Sequence, residues 1–305
     1  MQQPGWHVSN ALRRSLLFVP GSEPRKLERS REAGADTLLF DLEDSVAPES
    51  KALARQLVAD TLRAGGFAGC EPAVRVNAAN GPEFEDDVNA VVEAGARSLM
   101  IPKTERADDL RKALQVVQQA QQRLELGGHE PLKCLALVES AVGVSYLHEI
   151  ASCAASLDAL CFGHADFSLD MGLDQPDPAA GVVFYARCAL SVAAHAADLA
   201  AIDTVCLAVR DQAAFRADAQ LGASLGFEGK LCIHPSQVAI ANEVFAPTIE
   251  QIERAQRVVT AWTEAQAEGR GVFSLDGQMI DAPVAAAQQR VLERARKASA
   301  IPDSK

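Results

Sequence analysis

Eight short apolar runs, helix-like stretches between them and polar residues at their downstream ends predict an α/β fold. The count points to a (β/α)8 TIM barrel with a C-terminal helical arm rather than an open sheet. The runs are continuous rather than alternating, which suits parallel strands covered on both faces. Their downstream ends carry Asp41 to Asp44, Arg75, Asn77, Lys103, Glu139, His164, Asp166 and His234. In a barrel those ends share one face, where catalytic groups collect.

The strands are expected at "SLLFV" (15–19), "TLLFDL" (37–42), "AVRVN" (73–77), "SLMIP" (98–102), "KCLALVE" (133–139), "ALCFG" (159–163), "AIDTVCLAV" (201–209) and "KLCIH" (230–234). Helices are expected at 24–34, 48–63, 82–95, 106–125 and 180–198, and the sixth crossover opens on the proline-rich "GLDQPDP". After the eighth strand, "PTIEQIERAQRVVTAWTEAQAEG" reads as a long helix with a Thr248/Gln251 capping box and a Gly269 stop. "RGVFSLDGQMIDAP" reads as a loop or short hairpin before a last helix at 283–298. This divides the chain into a catalytic barrel, 1–268, and an arm, 269–305, expected to pack on a neighbouring subunit.

A net charge of −12 argues against nucleic acid or an anionic membrane as a partner. It leaves room for an anionic small molecule held in a local cationic pocket. The seven cysteines form no CxxC pair, and Cys134, Cys161, Cys206 and Cys232 fall inside apolar runs. Buried reduced thiols and a cytoplasmic setting follow. Pro20-Gly21 ends the first apolar run too soon for a signal or membrane helix.

Four clusters carry chemistry. Asp41, Glu43 and Asp44 crowd the end of the second strand, where a cation or Lys51 would offset their repulsion; an acidic helix start complementing the dipole is the competing reading. Arg75 with Asn77 suits bidentate grip of a carboxylate, against a structural salt bridge to Glu43 or Asp44. Glu139 and Asp166, at the ends of adjacent strands, come within reach of one hard cation, and two carboxylates with water and substrate oxygens are how Mg2+ is usually held. His164 beside them reads as a hydrogen-bonding or structural residue. Asp281, in "DGQMIDAP", stands where an N-cap would.

One stretch poses a separate question. "GFEGKLCIHP", 226–235, sets two glycines beside a lysine and runs an apolar strand into His234-Pro235, as though something approaches the backbone there.

In order along the chain, "RSLLFVPGSEPRKLERSREAGADTLLFDLEDSVAPESKALAR", "RVNAANG", "IPKTE", "ESAVGV", "FGHADFSLDMG", "GFEGKLCIHPSQ" and "GQMIDAP" resemble the blocks of the HpcH/HpaI aldolase/citrate lyase family. They resemble most the citrate lyase β-subunit-like acyl-CoA lyases, which include malyl-CoA and citramalyl-CoA lyases. The resemblance runs from about residue 13 to 295.

It implies Mg2+, with Mn2+ as a substitute, at the C-terminal face, and CoA as part of the substrate. By position, Glu139 and Asp166 match metal ligands, Arg75 the arginine that grips the oxo-acid carboxylate, and Glu43 and Asp44 outer carboxylates that hold metal-bound water. Asp281 matches an acid/base that related lyases supply from a neighbouring subunit, which implies a homotrimer or a hexamer built as a dimer of trimers. The eighth-strand block matches the pantetheine end of CoA. It makes Gly229, His234 and Pro235 substrate-binding, and gives Lys230 either a structural role or a CoA phosphate. Arg14 matches without a role.

The implied reaction is cleavage of a 3-hydroxyacyl-CoA to acetyl-CoA and a 2-oxo acid, with Ser168 to Met171 as residues that set which acid. The alternatives are an aldolase for free hydroxy-oxo acids, net thioester hydrolysis, and a carrier-dependent citrate lyase β subunit.

Overall fold

The computed structural model describes residues 11–123 and 132–299. The last two positions of the helix expected at 106–125, and the ends of the chain, lie outside them.

The elements follow in order: β1 (Ser15–Pro20), α1 (Pro24–Ser30), β2 (Thr37–Asp41), α2 (Lys51–Ala64), β3 (Glu71–Arg75), α3 (Phe84–Glu93), β4 (Ser98–Ile101), α4 (Ala107–Arg123), β5 (Lys133–Val138), α5 (Ala141–Ser145), α6 (Leu147–Ala151) and β6 (Leu157–Phe162). Then come α7 (His164–Asp170), α8 (Gly181–Ala196), β7 (Ala200–Asp203), α9 (Gln212–Ser224), β8 (Gly229–Cys232) and α10 (Pro235–Val244). The remainder is α11 (Ile249–Ala267), β9 (Phe273–Leu275), β10 (Gln278–Ile280) and α12 (Ala282–Ser299).

Strands β1 to β8 form a closed parallel barrel, each pairing with the next and β8 returning to β1 at Ser15↔Lys230. The period-2 geometry of a strand divides the apolar runs between two layers. Leu16, Leu39, Ala73, Met100, Leu135, Ile202 and Leu231 fill the interior as one buried cluster. The alternate residues meet the helices: Ala54, Val58 and Leu62 of α2 are buried at helical spacing, as are Leu110, Leu114 and Val117 of α4.

Strand β7 stops at Asp203, although the apolar run continues to Val209. Asp203 and Thr204 are fully buried in polar contacts, which ends the ladder there. Asp203 takes Arg187 Nη2 and Lys230 Nζ, each at 2.8 Å, and Asp218 takes the same two groups at 3.1 and 2.7 Å. Two cations and two anions thus neutralise one another where α8 and α9 meet β7 and β8.

The N-terminal mouth of the barrel is closed by ion pairs. Arg13 Nε and Nη2 each donate at 2.7 Å to Glu71, and Arg13 also pairs with Asp158. Glu71 accepts further from Thr37 and Ser98. Arg14 pairs with Asp36 at 2.8 Å, which is the role the sequence left open.

The described residues divide into two compact units between Glu243 and Val244. Helix α11 belongs to the second unit because its apolar face is buried there: Val258 and Trp262 pack with Ile280 and Ala285, and the Trp262 and Phe273 rings stack with centroids 6.4 Å apart. The capping box forms, with Gln251 N–H donating to Thr248 Oγ1 at 3.2 Å and Thr248 N–H to Gln251 Oε1 at 2.9 Å. Gly269 ends α11 in the left-handed region, φ 74°. The expected hairpin forms with Gln278 opposite Leu275. Among the described residues no helix is long and apolar enough to cross a membrane.

Candidate active site

The site begins where β2 ends. Asp41 Oδ1 accepts the Glu43 N–H at 2.9 Å and Oδ2 the Ser45 N–H at 3.1 Å, which turns the loop back on itself. Lys51 Nζ donates to the Leu42 and Glu43 carbonyls at 2.8 and 2.6 Å. Lys51 therefore pins the loop backbone and does not offset the carboxylates as expected.

Arg75, ending the neighbouring strand β3, does that instead. Its Nε and Nη2 donate to the two oxygens of Asp41, both at 2.7 Å, and its Nη1 lies 3.0 Å from Glu43 and 3.6 Å from Asp44. The half-buried Phe18 ring packs on the guanidinium 4.7 Å away. The salt-bridge reading of Arg75 is thus realised, chiefly through Asp41. Burial alone would push Asp41 up, but its bonds from Arg75 and that cation's charge outweigh burial and hold the carboxyl below the usual range. Asn77 is not available beside Arg75: its N–H and side-chain amide both bond Asp87 of α3, at 3.0 and 2.6 Å.

Lys103, just past β4, supplies a second cation. Its Nζ lies 2.8 Å from Glu43 and 3.4 Å from Asp44. Burial pushes the Glu43 carboxyl up, and Arg75 and Lys103 only partly offset it.

Glu139 follows β5 directly and is buried. Its Oε1 accepts the Lys103 N–H at 2.7 Å. A Cβ at residue 163 would lie 2.7 Å from Glu139 Oε2 and 2.8 Å from its Cβ, so Gly163, after β6, makes the space that the carboxylate fills. Burial pushes the Glu139 carboxyl up to about 8; the Lys103 N–H and the Arg75 charge oppose this, and the Glu43 and Asp166 carboxylates reinforce it. Asp166, in the first turn of α7, is half-buried and close enough to act on the Glu139 charge.

This residue set fits a hard divalent cation. A positive charge between Glu139 and Asp166 would relieve a carboxylate that burial and like charge now force towards its neutral form. Among the described residues no three His, Cys, Asp or Glu side chains form a closed cage. Two carboxylates leave positions for water and for substrate oxygens, the open arrangement usual for Mg2+.

Other expected residues stand elsewhere. His164 is buried with Nδ1 2.6 Å from Thr204 Oγ1, and burial together with the Lys230 charge lowers its pKa, in keeping with a structural role. Ser168 turns inward and donates to the His164 carbonyl at 2.6 Å, so its hydroxyl does not line the mouth; Leu169 and Met171 are exposed.

Lys230 is fully buried and its ammonium is taken up by Asp203 and Asp218, which is the structural role. Gly229 opens β8 and so lies at the N-terminal end of that strand, away from the substrate face. A Cβ there would come within 1.7 Å of the Arg13 carbonyl oxygen. The approach that needs glycine is the chain's own first segment, not a thioester. His234 and Pro235 are exposed past the C-terminal end of β8, with His234 Nδ1 2.7 Å from Ser236 Oγ.

In the second unit, Asp281 precedes α12 and its Oδ1 accepts the Val284 N–H at 3.1 Å, so it caps that helix.

The roles of Asp41, Phe18 and Lys103 were missed by sequence reasoning. The only local signal was a polar or aromatic residue near the end of a strand.

Fold and cluster together define a barrel enzyme whose C-terminal face gathers carboxylates around one arginine and one lysine. The chain belongs to the HpcH/HpaI aldolase/citrate lyase family, whose model matches residues 14–235. It is 38% identical over 288 residues to the citrate lyase subunit beta of Haemophilus influenzae, covering 93% of this chain and 97% of that protein. It is 36% identical over 269 residues to a (3S)-malyl-CoA thioesterase of Cereibacter sphaeroides, covering 88% and 89%. The structure of CitE from Mycobacterium tuberculosis, in complex with magnesium, acetoacetate and coenzyme A, superposes with a TM-score of 0.74 at 28% identity. That match covers 95% of this chain and all of the other.

Proposed function

We propose that the protein is a Mg2+-dependent carbon–carbon lyase that cleaves a 3-hydroxyacyl-CoA of the malyl-, citramalyl- or citryl-CoA type to acetyl-CoA and a 2-oxo acid. The observation that carries this reading is the Glu139–Asp166 carboxylate pair beside Arg75 on the C-terminal face. The related CitE structure holding magnesium and coenzyme A supports it.

Glu139 and Asp166 would hold Mg2+, or Mn2+ in its place. When bound, the metal supplies Lewis-acid polarisation of the substrate's carboxylate and hydroxyl oxygens. Glu43 and Asp44 would accept from water held beside it. Arg75, fixed by Asp41, offers Nη1 to the oxo-acid carboxylate and so aligns the breaking bond with the thioester plane. As the bond breaks, the carbinol hydroxyl becomes the oxo-acid carbonyl and gives its proton to water, and the thioester carbonyl takes up the electron pair as the acetyl-CoA enolate. Asp281 of a neighbouring copy then protonates the enolate carbon, and in the condensation direction removes that proton. His234 and Pro235 line the path of the thioester arm.

This scheme needs the second unit of one copy to reach the barrel of another, as in a homotrimer or a hexamer. Free thiols at Cys70, Cys134, Cys153, Cys161, Cys188, Cys206 and Cys232 suit a cytoplasmic location.

The likeness to a malyl-CoA thioesterase favours a second reading, in which water cleaves the thioester of the hydroxyacyl-CoA itself, the product of the condensation direction. The test of both is a panel of malyl-, citramalyl- and citryl-CoA with Mg2+, separating acetyl-CoA from free CoA. Acetyl-CoA release supports the lyase, and free CoA with malate supports hydrolysis. Turnover only on an acyl-carrier protein, or only on free hydroxy-oxo acids, would replace both.

A further inference from the structure

Among the described residues the non-glycine positions with positive φ are Lys103, Asp198 and Asp276. Aspartate tolerates the left-handed region because its short side chain bonds locally; lysine has no such compensation. Lys103, at φ 51°, is therefore the position where the backbone conformation calls for an explanation.

Its surroundings provide one. The Lys103 N–H donates to Glu139 Oε1 at 2.7 Å, and its Nζ lies 2.8 Å from Glu43 Oε1. The next N–H, of Thr104, stays on the Leu137 carbonyl at 3.1 Å, and Thr104 Oγ1 bonds the Ile101 carbonyl at 3.0 Å. On the far side, a Cβ at residue 143 would sit 2.7 Å from the Thr104 carbonyl oxygen, so Gly143 allows α5 to press on this turn. The turn is held from both sides. The left-handed conformation lets one residue send its N–H to the carboxylate after β5 and its ammonium to the carboxylate after β2.

We infer that Lys103 is a positioning residue of the site: its left-handed backbone fixes Glu139 through the N–H, and its ammonium separately fixes Glu43. Resting on the proposed role of Glu139 as a metal ligand, the inference separates two functions that one side-chain deletion would confuse. Glycine and asparagine adopt the left-handed region readily, so Lys103→Gly and Lys103→Asn remove the ammonium and keep the N–H. Valine resists that region, so Lys103→Val removes the ammonium and also turns the N–H away from Glu139.

The experiment titrates Mn2+ into the full chain by electron paramagnetic resonance, without substrate, alongside Mg2+-dependent kcat and thermal melting. The Gly and Asn variants are expected to bind Mn2+ as the unchanged protein does while kcat falls about 10-fold or more; Lys103→Val is expected to weaken Mn2+ binding about 10-fold or more. Lys103→Arg is expected to restore most of the kcat.

Equal Mn2+ binding by the Val and Gly variants, with Glu139→Gln not binding, overturns the inference and leaves the metal reading standing. Unchanged Mn2+ binding by Glu139→Gln overturns the metal reading itself. Should the Val variant fail to fold, the Gly variant decides. Mn2+ affinity kept while kcat falls supports the split, and a joint fall with melting temperature overturns it.

Discussion

The two mouths of the barrel contain the same chemistry in opposite states. At the N-terminal mouth, burial alone would push Glu71 up, but the charge and bonds of Arg13, with those from Ser98 and Thr37, outweigh it and hold the carboxyl below the usual range. At the C-terminal mouth, Glu139 has one backbone N–H and two carboxylate neighbours, and burial pushes it up to about 8. One end spends its charges on each other. The other leaves a buried carboxylate short of positive charge, which is the condition a bound cation would correct.

That contrast can be broken at either end. The largest effect is expected from Glu139→Ala or Asp166→Ala. On the proposed assignment either change would lose the metal and with it several kcal/mol of transition-state stabilisation, or roughly 10^3-fold in Mg2+-dependent turnover, with the urea midpoint held or raised. Turnover that survived both changes would end the comparison. Glu71→Ala should do the converse: Arg13 would be left buried without its main partner, at a cost of about 3–5 kcal/mol in urea unfolding, while kcat in the folded protein is kept.

Asp41→Asn lies between these in kind. It frees Arg75 from its two-oxygen clamp. Loss of a charge-assisted bond at that level predicts a KM for the oxo acid raised roughly 10- to 100-fold in the condensation direction, with a smaller change in stability.

The smallest effect is on pH dependence. Because the folded-state pKa of Glu71 is depressed below 4.5, its contribution is present above that value and is lost as pH falls below it. Glu71→Gln should flatten the acid limb of the stability profile, read from urea midpoints between neutral pH and the acid transition.

Much of the fold was legible because apolar patterning is local. The eight strands, the helix caps at Thr248 and Gly269 and the polar strand ends all follow from residues a few positions apart. The site was legible only as a set of strand-end residues. Lys230 illustrates the limit: the sequence places it beside an expected substrate block, yet it lies opposite Asp203 across the β7–β8 ladder and points into the helix layer. Strand β7 was overrun for the same reason, since its end is set by charges arriving from α8 and α9.

By itself the sequence determined the order of strands and helices, the capping of α11, and which residue types reach the strand ends. Tertiary structure decided which charges meet: Arg75 with Asp41, Lys51 with loop carbonyls, Lys103 with Glu43 and Glu139, and Gly229 with the Arg13 backbone. The physical reason is the stagger of a closed barrel. It sets Asp41, ending β2, opposite Arg75, ending β3, and Asp203, ending β7, opposite Lys230 near the start of β8, and charge pairing depends on that register and not on distance along the chain.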